Sequence, residues 1–177
     1  MALPRMVKVR QSFTGPRLAD IPGAVRSALV GAPLPIRRGD TVAVGAGSRG
    51  IANIATIVRA TVDHLKNIGA HPFVFPAMGS HGGATAEGQL DVLAHYGITE
   101  PTMGCELRAS MEVVQIGQAL DLPVWVDRVA SEADWIGLVN RVKPHTDFKG
   151  SIESGLFKMM TIGLGKLKGA TQYHRAN

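Results

Sequence analysis

The sequence contains little cysteine, few aromatic residues and no long apolar run. Its 177 residues include one cysteine, Cys105, so no disulfide can form within the chain and a reducing compartment is expected. No apolar stretch approaches the roughly 20 residues that cross a bilayer as a helix, and the first residues lack the apolar core of a signal peptide. We therefore expect a cytoplasmic protein without a membrane partner, in which Cys105 is a small buried residue.

The basic residues form no continuous run, although the chain as a whole is basic. Its formal charge is +5 and its pI is near 9.7. Aromatic residues make up only 5% of the chain, which leaves few rings on which nucleobases could stack. A positive field over a small area attracts carboxylates and phosphates. We therefore expect a small anionic ligand and no nucleic acid.

The order of the predicted elements indicates a single α/β domain over residues 1–177. An apolar strand at 41–44 leads through a glycine-rich turn into a long helix at 51–68, and another apolar strand follows at 72–75. This order favours a parallel sheet, and we expect a Rossmann-like three-layer sandwich with a mostly parallel sheet. Further strands are expected at residues 6–13, 113–116, 122–126 and 134–139, the last of them buried. Further helices are expected at residues 24–30, 85–96, 154–162 and 166–173.

Two glycine patterns are similar to nucleotide-binding motifs, and neither is complete. Gly45, Gly47 and Gly50 have the G-x-G-x-x-G spacing, but the next strand ends without the acidic residue that holds a ribose. Residues 150–155 have the glycine spacing of a P-loop, but two apolar residues follow where lysine and Ser/Thr are required. What remains is a helix N-terminus beside Arg49, an arrangement that suits a carboxylate or a phosphate.

The six histidines fall into two groups by their positions. Those expected to be exposed are His64, His71 and His95. His81 and His145 each follow a predicted strand, at the carboxyl edge where open α/β sheets place their sites, and His174 lies near the end of the last predicted helix. Three histidines could bind zinc, although no H-x-x-x-H or C-x-x-C spacing is present. Two imidazoles acting as general acid and base, with the third as a ligand, fit the sequence as well.

Four short motifs occur in order along the chain. They are Met78-Gly79-Ser80-His81, Lys143-Pro144-His145, Ser154-Gly155-Leu156-Phe157-Lys158 and His174. Lys158 and His174 are sixteen residues apart. This set, which covers the chain from about Asp40 to its end, resembles the N-terminal domain of the nickel-pincer lactate racemase family.

The resemblance implies a nickel-pincer nucleotide as cofactor, in which nickel is held by a pyridinium-3,5-bisthiocarboxylic acid mononucleotide. In the family this nucleotide is joined covalently to a lysine, and the matching residue here is Lys158, next to Ser154 and Gly155. A histidine completes the nickel coordination, and the matching residue is His174. The cofactor carries the hydride chemistry, while the protein supplies orientation and charge.

The resemblance also implies the reaction, which is the racemisation or epimerisation of a 2-hydroxy acid by reversible hydride transfer. His81 and His145 match the two histidines that flank the substrate as proton acceptor and donor. Arg49, after Ser48, matches the arginine that binds the substrate carboxylate. Two bases on opposite faces allow inversion, and a fixed carboxylate keeps the carbon over the hydride acceptor.

The chain departs from the family in ways that leave alternatives open. The family's first motif usually reads Asp-x-Thr-Arg, whereas this chain has Ala46-Gly47-Ser48-Arg49, so the particular 2-hydroxy acid is not identified. Lys149 and Lys166 are rival attachment points, although neither keeps the sixteen-residue step to the histidine. Family members carry a second domain, so we expect an N-terminal domain whose C-terminal partner domain is absent here. Oligomerisation stays open, and the alternative function is a small-anion-binding α/β domain without racemase activity.

Overall fold

The described part of the chain is a mixed α/β structure with one parallel sheet and one antiparallel hairpin. The computed structural model describes residues 6–48, 50–143, 149–150 and 153–176. The strands are β1 (Thr41–Ala46), β2 (His71–Pro76), β3 (Val113–Ala119), β4 (Leu122–Asp127) and β5 (Trp135–Val139). The helices are α1 (Ile21–Gly31), α2 (Ile54–Asn67), α3 (Ala86–His95), α4 (Glu100–Met103), α5 (Arg128–Ser131), α6 (Leu156–Lys158) and α7 (Lys166–Ala176).

The parallel sheet has the strand order β2–β1–β5, with β1 parallel to both neighbours. Val42 of β1 lies opposite Pro72 on one side and Trp135 on the other. The predicted parallel pairing of the strands on either side of the long helix is therefore confirmed. Because all three strands run in the same direction, their carboxyl ends meet at one edge of the sheet.

The apolar character of β1 follows from burial on both faces of the sheet. One face packs against α2 and the other against α5 and the segment before α7. The buried residues of the α2 face include Val42, Val44, Ala46, Ile54, Val58, Val62, Leu65, Val74 and Leu93. The buried residues of the opposite face are Ala43, Phe73, Phe75, Ala77, Ala130 and Leu164.

Asp20 and Thr85 cap the N-termini of α1 and α3 through their side chains. Asp20 Oδ1 accepts from the Gly23 N–H at 2.9 Å, and Thr85 Oγ1 accepts from the Gly88 N–H at 3.0 Å. Each cap satisfies one of the backbone donors that a helix N-terminus leaves without an intrahelical partner. The cap at Thr85 fixes the start of α3 directly after the loop that follows β2.

Several expectations from the sequence are wrong. Residues 6–13 form no strand and are exposed, because alternating polarity stabilises a strand only where a neighbouring strand can pair with it. His64 is only 7% exposed, because α1 packs on α2. The strand at residues 134–139 is not buried: Trp135 is 37% and Ile136 39% exposed.

The helix expected at residues 154–162 is also different in the structure. It consists of the single turn α6 followed by a π-helical turn, Met159–Gly163. Such turns occur often at functional sites. Cys105, which was expected to be buried, is half-buried against the α2 side of the core, and loss of water raises the pKa of its thiol. Among the described residues, no helix has the length and apolar character needed to span a bilayer.

Candidate functional site

A cavity of about 210 Å³ lies at the carboxyl edge of the parallel sheet. Its lining comes from the segments that follow β1, β2 and β5, and from the segment 154–163 around α6. The residues after the three strands are Gly47, Ser48, Ala77, Met78, His81, Asn140, Arg141 and Lys143. The residues of the fourth segment are Ser154, Gly155, Lys158, Met159, Ile162 and Gly163.

The topology of the sheet explains why a cavity forms there. The chain passes from β1 to β2 on one side, whereas β5 lies on the other side of β1. In open α/β sheets the crevice at such a change of direction is where ligands bind. The segments that leave the strands are held in register by backbone hydrogen bonds, from Gly47 N–H to Val139 C=O (3.2 Å) and from Ala77 N–H to Ala46 C=O (3.0 Å).

Ser48 and His81 come together in the lining of this cavity. Ser48 Oγ and His81 Nδ1 are hydrogen-bonded to each other. If the hydroxyl donates, the neutral imidazole carries its proton on Nε2, whereas if Nδ1 donates, Nε2 is the acceptor nitrogen. The Tyr96 hydroxyl donates to the carbonyl oxygen of Ser48 at 2.7 Å. Tyr96 is the residue that follows the last turn of α3, so this bond ties the backbone at Ser48 to the C-terminal end of α3. Ser48 in turn orients the imidazole of His81.

The loop before His81 requires glycine for close packing. Gly79 has φ +62°, and a Cβ atom on it would lie 2.9 Å from Ile162 Cγ2 and 3.7 Å from the Ala170 Cβ. Gly82 has φ +63°, and a Cβ there would lie 2.4 Å from the Gly88 carbonyl carbon. The two glycines let the His81 loop lie directly against α3, α7 and the π-helical turn.

Lys158 is the predicted attachment lysine that lines the cavity. It ends α6, is half-buried, and lies with Ser154 and Gly155 in the same wall. Gly155 has φ +76° and packs against Val142, since a Cβ on it would lie 3.4 Å from Val142 Cγ1. The rival Lys149 is exposed and outside the lining.

The other rival, Lys166, is fully buried and its amine is engaged elsewhere in the protein. Its Nζ donates to Pro76 C=O at 2.5 Å and to Gln89 Oε1 at 3.0 Å. An amine held in this way is not accessible from the cavity. Of the three candidate lysines, Lys158 is therefore the one that a ligand in the cavity can reach.

His174 lies on α7 and is exposed, and it is not among the residues that line the cavity. Ala170, four residues earlier, packs beside Gly79. Residues four apart in a helix share a face, so His174 lies on the side of α7 that faces the His81 loop, one turn beyond the contact. Arg49 and His145, the predicted carboxylate ligand and second proton-transfer residue, lie outside the described residues.

The cavity lining is basic and otherwise largely apolar. Of the described residues that line it, three are basic (Arg141, Lys143 and Lys158) and none is acidic. Met78, Met159 and Ile162 supply an apolar wall. A concave site with positive charge and apolar walls favours a small anionic ligand that also has an apolar part.

Sequence reasoning missed a buried polar cluster behind the cavity. Asp127, Lys166 and Gln89 are each 0% exposed, and they connect β4, α7 and α3. A weak signal existed for Gln89, because it lies four residues before the buried Leu93 and therefore on the core face of α3. The sequence contains no comparable signal for Lys166 or Asp127.

Within the described part of the chain, no three His, Cys, Asp or Glu side chains lie close enough together to hold a metal ion. The chain matches no family model, and no curated protein or solved structure is detectably similar to it. The function must therefore be inferred from the site itself and from the motifs of the sequence.

Proposed function

We propose that the cavity is the active site of a 2-hydroxy-acid racemase or epimerase that works with a nickel-pincer nucleotide attached to Lys158. One observation carries the proposal. Lys158, His81 and Ser48 come from distant parts of the sequence and line the same cavity. All three were expected at the active site from the resemblance of four sequence motifs to the nickel-pincer lactate racemase family.

The chemistry of the lining fits the nucleotide. Lys158 places an amine in the cavity where a covalent link can form, and Arg141 and Lys143 offer positive charge for a phosphate. Met78 and Met159 provide an apolar wall for a flat ring. When bound, the cofactor would supply a hydride acceptor beside the substrate carbon.

The nickel end of the cofactor would be bound by His174. The pincer nucleotide brings its own carbon and sulfur donors, so a single histidine suffices and no cluster of ligating side chains is needed. His174 lies one helical turn after Ala170, which packs beside Gly79 in the loop that carries His81. A neutral imidazole nitrogen is a suitable ligand for nickel.

The chain's own residues would act on the substrate by binding it and moving protons. His81, oriented by Ser48, would take the hydroxyl proton from one face of the 2-hydroxy acid or return it there. His145 would do the same on the opposite face, which is the requirement for inversion. Arg49 would hold the carboxylate by charge-assisted hydrogen bonds. The apolar wall would limit the access of water to the reacting carbon.

The finer description of the fold belongs to the same proposal. We assign the chain to a Rossmann-like three-layer sandwich, because its three parallel strands carry helices on both faces. We expect a second domain, C-terminal in the full protein, to cover the open side of the cavity. The protein would then act in the cytoplasm on a small 2-hydroxy acid.

The attachment can be tested by intact mass spectrometry and nickel analysis. The full-length protein would be coexpressed with the enzymes that make the nucleotide, as wild type and as Lys158→Ala, with the exposed Lys149→Ala as the matched control. We expect the adduct mass and bound nickel in wild type and Lys149→Ala, and their loss in Lys158→Ala. An unmodified Lys158 in active full-length protein would contradict the attachment.

A second candidate, a small-anion-binding domain without racemase activity, is favoured by the three basic side chains in the cavity. The two functions differ in which residues binding requires. In the anion-binding case, the binding of inorganic phosphate or lactate, measured by calorimetry, survives Lys158→Ala and His174→Ala and is lost in Arg49→Ala. In the racemase case, Lys158→Ala and His174→Ala abolish turnover of the 2-hydroxy acid.

A further inference from the structure

Lys166 carries a positive charge into the interior directly behind the cavity. Its side chain is 0% exposed. Its Nζ donates hydrogen bonds to Pro76 C=O and Gln89 Oε1, and it forms an ion pair with Asp127 Oδ2 at 2.8 Å. Burial lowers the pKa of Lys166, and the Asp127 carboxylate opposes that shift. A buried charge of this kind persists only when it is compensated by neighbouring polar groups.

Lys166 helps to determine which way the Gln89 amide points. An ammonium group only donates hydrogen bonds, so the amide oxygen must face Lys166. The amide nitrogen must then face the opposite way, and it donates to Gly79 C=O at 2.8 Å and to His81 C=O at 3.3 Å. Reversing the amide would set its oxygen against two carbonyl oxygens and its NH₂ group against an ammonium. Lys166 on one side and the two loop carbonyls on the other therefore favour the same orientation, in which the NH₂ group holds the His81 loop.

We propose that Lys166 is a positioning residue that acts through Gln89 to hold the backbone at His81, and with it the imidazole at the cavity. The assignment of proton transfer to His81 rests on the proposed function, whereas the positioning of the loop does not. This arrangement makes the buried cluster part of the site, although none of its three side chains lines the cavity.

The backbone conformation of Lys166 and its buried ion pair are both unfavourable for stability, which favours a role in positioning the His81 loop. Lys166 has φ +52°, a left-handed conformation that is unfavourable for an L-residue. Replacing a buried ion pair by well-packed apolar residues is often neutral or stabilising. Strained residues of this kind tend to cluster at functional sites. Asp127 also caps α5, since its Oδ1 accepts from the Val129 N–H at 2.8 Å, so the ion pair connects α5 to α7.

Histidine NMR of the folded protein tests the step from Gln89 to His81. Gln89→Met removes both ends of the amide, and Gln89→Glu keeps an acceptor for Lys166 while losing both donors to the loop. The matched control is Gln172→Met, because Gln172 also bridges two groups, Trp125 Nε1 and Pro123 C=O, on the hairpin side of α7. The readout is the ring ¹⁵N shifts of His81, which report its tautomer, with buried His64 as an internal reference.

A double substitution tests the step from Lys166 to Gln89. Lys166→Met with Asp127→Asn removes both charges together, so that no unpaired carboxylate is left buried, and asparagine retains the cap on α5. If Lys166 sets the direction of the amide, this variant changes the His81 ring shifts in the same way as Gln89→Met does.

In the Gln89 variants and in the double variant, we expect the His81 ring signal to shift or to split into several signals. The His64 signal should stay unchanged in all of them, and Gln172→Met should give the wild-type His81 signal. In the loaded full-length enzyme, kcat should fall about 100-fold with little change in KM, as a displaced catalytic group predicts. The proposal would be overturned if folded Gln89→Glu and Gln89→Met both kept the wild-type His81 shifts. If the Gln89 variants changed these shifts but the double variant did not, only the role assigned to Lys166 would be overturned. The NMR result is independent of whether Lys158 carries a cofactor, so it separates this proposal from the proposed function.

Discussion

At the scale of single residues, Gly79 and Gly83 form a natural pair in the loop that carries His81. Both have left-handed backbones, with φ +62° and +65°. A Cβ on Gly79 would lie 2.9 Å from Ile162 Cγ2 and 3.3 Å from the Ile162 carbonyl oxygen, whereas a Cβ on Gly83 would meet nothing within 4 Å. The two positions therefore share the same backbone strain and differ in packing.

Alanine substitution at both positions should separate these two effects. Gly83→Ala should lower the free energy of unfolding only by the backbone term, about 1–2 kcal/mol. Gly79→Ala should lower it by a further 1–3 kcal/mol or so, because the methyl group overpacks the contact with Ile162. Urea unfolding followed by circular dichroism measures both values. Equal losses would show that Ile162 moves aside without cost.

Sequence reasoning succeeded at this scale where a residue's chemistry is visible in its local pattern. His81 and Lys158 lie in recognisable motifs, and the structure brings both to one cavity. It failed for the Lys166–Gln89 pair, whose members are 77 residues apart in the sequence. A lysine opening a helix is expected to be exposed, and only the three-dimensional meeting of α3, β4 and α7 reveals its buried partners.

At the scale of elements, hydrogen bonds between Thr41 and Asp134 connect the start of β1 to the start of β5. The Thr41 N–H and hydroxyl both donate to Asp134 Oδ2 at 2.8 Å, and the Asp134 N–H donates to Thr41 Oγ1 at 3.1 Å. These hydrogen bonds, first that from the Thr41 backbone and then that from its side chain, lower the pKa of Asp134. The ionised carboxylate is thus the form that stabilises the strand pair.

The hydrogen bonds between Thr41 and Asp134 predict that the effect of Asp134→Asn on thermal stability depends on pH. A carboxyl whose pKa is lowered by folding contributes stability above its unfolded pKa, about 3.9, and loses it as the pH falls through the folded value. Asp134→Asn should therefore lower Tm at pH 7, and the difference from wild type should shrink below about pH 4. Thermal unfolding across pH 3–7 measures it, with the exposed Asp91→Asn on α3 as control. A Tm difference that stays constant over this range would exclude the ionised carboxylate as the cause.

The elements themselves were predictable where local signals agreed with tertiary contacts. β1, α2 and β2 combine apolar runs, helical periodicity and a glycine after the helix, and all three are present. Residues 6–13 have a clear strand pattern and form no strand, because strand formation depends on an available neighbour. The π-helical turn after α6 has no local sequence signal, and its residues Met159 and Gly163 pack against Ala77, which is distant in the sequence.

At the scale of the whole molecule, the cavity lies at the carboxyl ends of the parallel strands and not at their amino ends. The segments that leave the carboxyl ends of the strands form the cavity, and this location could be predicted, since open α/β sheets bind ligands there. The C-terminal end of α2, with Leu65, lies near the start of β2 and hence at the amino edge. Leu164, by contrast, follows the cavity-lining Gly163 and packs on the opposite face of the sheet.

Two matched leucine substitutions test this division between stability and site geometry. Leu65 is 3% and Leu164 7% exposed, so each Leu→Ala change should lower the free energy of unfolding by about 2–5 kcal/mol. Only Leu164→Ala should also change the ring ¹⁵N shifts of His81, because it creates a cavity beside Gly163 and the buried Lys166. Leu65→Ala should leave these shifts as in wild type. If Leu65→Ala moved the His81 signals as far as Leu164→Ala does, the carboxyl edge would not be mechanically separate from the remainder of the core.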